Sequence, residues 1–360
     1  MNKNEQELFL ELCNFVEPDK ELIEKLLPEN ATPSVLGHIF FNRMQGVAYG
    51  TLKNLGLLGK LNREFRNSLS DAYQINTEKN DSFYKCVKIV IDALKEYYGR
   101  YIMLKGAVLC ELYPAGYRTS NDIDLLVLPG DVTIIGERLE REGFKQGYVR
   151  NSEFVRATRR EIIESRMTRG ETVPYILEVN LPHMKFLEVD INFSLDYKNG
   201  WKDTMGMLFE STIDVDIRDT KIKSLCEYDF FIYLCSHLYK EATTFPWIKM
   251  NRDMTLYKFS DIYYMIDKFT ATETEIMFRR ASTLKMDDIC SCVVMWTSML
   301  FHIKNQCAIE IASKNLENKE TFLHEVVVPA EKKYMLYSGT DIRERFFAED
   351  RVSLLREIEK

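Results

Sequence analysis

Apolar residues recur at three- and four-residue spacing through most of the first hundred positions. QELFLELCNFV, ELIEKLLPEN, SVLGHIFFNRM and the long stretch from about Leu61 to Tyr98 all carry that period, which predicts amphipathic helices. Asn30, Thr32 and Ser34 offer side-chain oxygens to cap the third of them, and Gly50, Gly56 and Gly59 punctuate the turns. The pattern changes at Arg100. A short apolar run over about Tyr101–Leu104 predicts a strand; Lys-Gly and a helical stretch follow. IDLLVL then reads as a buried strand closed by Pro129-Gly130. VTIIGERLEREGF resumes a helical period, and VPYILEVNLPHMKFLEVDINFSL reads as two strands, about Val173–Val179 and Lys185–Phe193, joined by a loop with Pro182. From Ser224 the helical period returns through four segments. A polar stretch over about Asn315–Lys333 predicts a loop, and Ile342–Ile358 a closing helix. The expected architecture is α+β: a helical region over 1–98, a core with a small mixed sheet over 99–222, and a helical region over 223–360.

Composition narrows the class. A chain of 360 residues predicts two domains, or one core with helical additions. With 46% apolar and 29% charged residues it resembles ordinary globular proteins, and 16 Gly and 9 Pro exclude collagen-like and Pro/Gly-rich disordered chains. The net charge of −7 disfavours non-specific duplex DNA binding, which draws its affinity from phosphate neutralisation. Eight scattered cysteines and a start without a signal-peptide apolar region predict reduced thiols and a cytoplasmic location. Cys290-Ser-Cys292, the one close pair, lacks the second pair or nearby His of a zinc site. No apolar run approaches the ~20 residues of a membrane span, so no membrane partner is expected.

The informative chemistry is Asp122-Ile123-Asp124. On a strand, i and i+2 share a face, so two carboxylates project side by side, roughly 6–7 Å apart along the chain. Such a pair disfavours folding unless a cation sits between its members, and a hard divalent ion such as Mg²⁺ is the natural partner. In LEVDINF, Asp190 shares a face with Glu188 and Asn192. If that strand lies beside the first, Asp190 completes a cluster able to hold two ions roughly 3.5–4 Å apart, the arrangement that serves phosphoryl and nucleotidyl transfer. Lys105-Gly106 sits where a strand turns into a helix, with close backbone approach and a point charge available to a phosphate. Arg118, Thr119 and Ser120 precede the acidic pair; Arg118 either forks onto triphosphate oxygens or is a surface arginine. Residues 138–169 hold nine Arg/Lys against five Glu, a solvated face or an anion-steering rim.

LKGAVLCELYPAGYRTSNDIDLLVLPGD resembles the bacterial uncharacterised nucleotidyltransferase family, within the DNA polymerase β-like superfamily. The superfamily motif is a strand, a glycine turn into a helix, an acid-x-acid strand and a third acid on a later strand. Gly106, Asp122 with Asp124, and Asp190 match it, and Leu104-Lys105-Gly106 and Arg118 match the family's own turn and arginine. Asn192 stands where the family usually has His, while His237 and Asp261 match a recurring His and Asp of its helical half. The resemblance covers roughly residues 60–270. It implies that Lys105, Gly106, Arg118 and Ser120 bind a nucleoside triphosphate and that Asp122, Asp124 and Asp190 hold two Mg²⁺ and carry catalysis. An NMP, AMP in the first instance, would pass to a hydroxyl of a small molecule or peptide; RNA is the less favoured acceptor. A non-catalytic binding module and a toxin-type enzyme acting on RNA are the alternatives.

Overall fold

In the N-terminal segment the helices begin where side-chain oxygens take up free backbone N–H groups. Helix α1 (Lys3–Leu12) starts with a reciprocal Asn2/Glu5 capping box and α2 (Lys20–Asn30) on Asp19. Helix α3 (Pro33–Phe41) starts on Thr32, which accepts from the Val35 N–H at 3.4 Å. Of the three expected caps Thr32 is the one used; Asn30 instead donates to the Leu26 carbonyl inside α2. Helix α4 (Gln45–Asn54) follows, then α5, 32 residues over Arg63–Leu94. The computed structural model describes residues 1–168, 170–195, 203–319, 322, 324–328, 333–337 and 340–358. Two units form, one from Met1–Ser70 with Phe231–Lys360 and one from Asp71–Phe230.

The second unit holds the sheet. After α5 come β1 (Tyr101–Met103), α6 (Gly106–Leu112), β2 (Asp122–Val127) and α7 (Val132–Arg141). The hairpin β3 (Lys145–Arg150) and β4 (Glu153–Arg156), α8 (Arg159–Thr168), β5 (Tyr175–Leu181) and β6 (Met184–Asn192) follow. Helix α9 (Asp203–Glu210) and the hairpin β7 (Thr212–Ile217) and β8 (Thr220–Leu225) complete it. Strand order in the six-stranded sheet is β1-β2-β6-β5-β3-β4. The β2–β6 pairing is parallel and the other neighbours run antiparallel. Ile123, Leu125 and Val127 of β2 alternate onto one face with Val189 and Ile191 of β6, and all five are fully buried. Together with the helices around it, this mixed sheet is the α+β fold expected.

The β3–β4 hairpin lies within the basic stretch, where no strand was expected. Val149, Arg150, Glu153, Val155 and Arg156 are all exposed, so no buried face imposes an apolar/polar alternation. Its turn is set by Asn151 and Ser152, at φ 51° and 61°. Arg169, at the end of the stretch, lies outside the described residues.

In the other unit α10 (Glu227–Ala242), α11 (Phe245–Lys249), α12 (Leu256–Ile266), α13 (Ala271–Thr283), α14 (Asp287–Ser298) and α15 (Gln306–Asn315) realise the helical half. The C-terminal expectation needs correction. Strand β9 (Glu325–Val328) interrupts the expected loop; residues 320, 321, 323 and 329–332 of that stretch lie outside the described ones. After β10 (Lys333–Tyr337), the closing helix α16 covers only Ile342–Phe347, and the described residues end on β11 (Leu355–Ile358). The three strands pair antiparallel in the order β11-β10-β9. Val326 and Tyr337 bury against Ile248, and Val352, Leu354 and Leu355 pack on that cluster, a tertiary contact that overrides the helical period of the last segment. Asp253, fully buried, accepts from Arg345 at 2.9 Å and Arg351 at 2.6 Å, tying this segment to its unit. Among the described residues no helix is long and apolar enough to cross a membrane.

Candidate active site

Strand register builds the site. In the parallel β2–β6 pair Asp122 stands opposite Glu188 and Asp124 opposite Asp190. Neighbouring strands are about 4.8 Å apart, and partners in register point to the same face. Four carboxylates therefore share one face of two adjacent strands. Asn192, next on that face, donates to Asp124 Oδ1 at 3.4 Å. Glu171 bridges antiparallel to Asn192 and contributes a fifth carboxylate. Asp190 therefore lies on the strand next to Asp122 and Asp124 and on the same face. Glu171 was not foreseen, because its proximity comes from a bridge outside the regular strands.

Strand β1 pairs antiparallel with β2, and the Leu104 N–H donates to the Asp124 carbonyl at 3.0 Å. That places the next residue, Lys105, at the carboxylates. Its Nζ lies 2.6 Å from Asp124 Oδ1, and the Asp124 side chain is 3% exposed. Lys105 adopts φ 43°, ψ −113°, a conformation that costs a residue with a Cβ roughly 1–3 kcal/mol. At Gly106 a Cβ would collide with Cβ and Oγ of Ser120, so only glycine allows the two segments to meet. The Ser120 hydroxyl is 2.9 Å from Asp122 Oδ1 and 3.2 Å from the Asp122 carbonyl oxygen. Turn and acidic strand are thus locked through Ser120. Arg118 is buried, not a surface arginine, and donates to the Thr119 carbonyl. The middle of α5 braces the loop before β2: Asn76 donates to the Gly116 carbonyl at 3.0 Å, and Lys79 bonds Asn121.

The profile of a family described as an uncharacterised nucleotidyltransferase matches residues 33–302, three quarters of the chain. The protein belongs to this family. Transfer chemistry in general and a nucleotide substrate follow from that membership. No curated protein and no solved structure matches the chain. The matched span contains every element of the site, from Lys105 to Asn192, and also His237 and Asp261. Those two lie in the other unit, on α10 and α12. His237 is 3.6 Å from Glu241, which also pairs with Lys258, and Asp261 is buried.

The electrostatics of the candidate site are those of crowded anions. Burial, reinforced by Asp124, Asp122, Glu188 and Glu171, pushes the Asp190 carboxyl well above the usual range. Burial also raises Asp124 despite the opposing Lys105 ammonium. Glu188 is pushed up to about 7 by burial and then by Asp122 and Asp124. Without further positive charge the cluster holds protons near neutrality. Carboxylate oxygens around a cation deficit are the donor set of a hard divalent ion. Among the described residues no three His, Cys, Asp or Glu side chains are already drawn together as metal ligands, and Asp124 is in contact with the Lys105 ammonium.

Proposed function

We propose that the protein is a Mg²⁺-dependent nucleotidyltransferase that moves an NMP, AMP in the first instance, from an NTP to a hydroxyl of a small molecule or peptide. The supporting observation is the parallel register that sets Asp190 opposite Asp124, with Asp122 two residues away and Lys105–Gly106 alongside. Asp122, Asp124 and Asp190 would hold two Mg²⁺, which when bound supply charge neutralisation to the attacking and leaving oxygens. Lys105 and Arg118 hold the triphosphate over Gly106, and Ser120 fixes Asp122. Asp190 takes the proton of the acceptor hydroxyl. The acceptor oxygen bonds the α-phosphorus as the bond to the β-phosphate oxygen breaks, and pyrophosphate leaves. Most of the rate comes from positioning and preorganised charge.

The test is incubation with each α-labelled NTP and Mg²⁺. Pyrophosphate release is followed, and mass spectrometry locates the nucleotide on a metabolite, a peptide or the protein itself. Asp122→Asn, Asp124→Asn and Asp190→Asn should each cut turnover about a thousandfold, equivalent to several kcal/mol of lost charge stabilisation, with circular dichroism unchanged. Wild-type turnover in any of the three rejects the proposal.

A further inference from the structure

Asp122, Asp124, Glu188 and Asp190 share one face of β2 and β6, Glu171 is bridged to Asn192 beside them, and the fold's own glycine turn supplies a lysine to Asp124. That lysine is not at the rim. Lys105 Nζ sits 2.6 Å from Asp124 Oδ1, and its side chain is 16% exposed. Asn192 approaches the same oxygen at 3.4 Å. Asp124 is the central acid of the cluster, in line with Asp122 on its own strand and opposite Asp190 on the next. Its Oδ1, one of the two oxygens the carboxylate could offer a divalent ion, is held by the Lys105 ammonium. Lys105 also keeps a backbone conformation that suits glycine, at φ 43° and ψ −113°, so the turn is strained in its backbone at this point. A lysine has a flexible stem and a rotatable point charge, able to leave one anion for another without moving the backbone.

We infer that Lys105 is a resident counter-ion: it occupies the divalent-cation position at Asp124 in the nucleotide-free protein and moves to the phosphate oxygens when an NTP enters, releasing Asp124 to the metal. The inference rests on the nucleotidyltransferase reading above and adds an order of binding to it. Metal alone competes with the ammonium and binds weakly. The triphosphate draws the ammonium off, so nucleotide and metal strengthen each other's binding through the protein, over and above their chelation in solution.

The experiment is Mn²⁺ binding followed by electron paramagnetic resonance, with and without a non-hydrolysable NTP analogue, on the wild type, Lys105→Met and Lys105→Gln. Losing the charge should tighten nucleotide-free Mn²⁺ binding by about tenfold or more, within the usual range of site-to-site coupling, while analogue binding weakens. In parallel melts the variants should start lower than wild type without metal and gain more from Mn²⁺ than it does. A lysine that is merely structural would lower the melting temperature with no extra recovery. If wild type binds Mn²⁺ with the analogue but both variants bind nucleotide-free Mn²⁺ no tighter than wild type, the counter-ion role is wrong and the function stands. If neither wild type nor variants bind Mn²⁺ under either condition, the metal-dependent function falls as well.

Discussion

Glu188→Gln should make the metal-free protein more stable at pH 8 and nearly leave it alone at pH 5. Glu188 sits half-buried opposite Asp122, and its carboxyl rises from the ordinary 4.5 to about 7, first through burial and then through Asp122 and Asp124. A raised carboxyl in the folded state holds its proton where the unfolded chain has lost it. The folded state therefore gains from this group below pH 4.5, and the gain disappears as pH rises through about 7. Each pH unit between those values is worth about 1.4 kcal/mol, which sums to roughly 3 kcal/mol at pH 8. Residual solvent access screens the charge, so about 1–2 kcal/mol is the expected gain on substitution. At pH 5 it should fall well below 1 kcal/mol, because wild-type Glu188 is then still mostly protonated in the folded protein. The assay is urea denaturation in EDTA at both pH values, followed by circular dichroism. Adding Mg²⁺ at pH 8 should shrink the difference by neutralising the neighbours of Glu188. An equal effect at both pH values, or a less stable variant at pH 8, would refute the account of crowded anions.

Gly106→Ala forces a Cβ into Ser120 and should cost about 1–3 kcal/mol while pushing the Ser120 hydroxyl off Asp122, so nucleotide turnover falls with stability. Gly37→Ala, where a new Cβ meets nothing within 4 Å, is the control and should be neutral or stabilising in a thermal melt. If the two behave alike, close approach is not what glycine serves at 106. Asp253→Asn leaves two buried guanidinium groups with no full counter-charge and should lose about 3–5 kcal/mol in chemical denaturation. A loss under 1 kcal/mol would show that Arg345 and Arg351 do not need the aspartate to stay buried.

The sequence by itself determined the local features. Three- and four-residue spacing marked the helices of both flanks, and short apolar runs marked β1, β2, β5 and β6, because each period answers to one buried face. Strand alternation alone put Asp122 with Asp124, and Glu188 with Asp190 and Asn192. Tertiary structure decided what lies between elements distant in the chain. The parallel register setting Asp124 against Asp190 joins strands with a hairpin, two helices and β5 between them, and no local signal encodes it. The same holds for Glu171 at Asn192, for the Lys105 ammonium on Asp124, and for Ser120 beneath Gly106. The β3–β4 hairpin escaped notice because neither of its faces is consistently buried. The C-terminal strands did so because contacts with Ile248, rather than local propensity, fix them. Likewise Met1–Ser70 joins Phe231–Lys360 in one unit although the whole sheet-bearing unit separates them in sequence, since burial depends on which surfaces meet and not on their order along the chain.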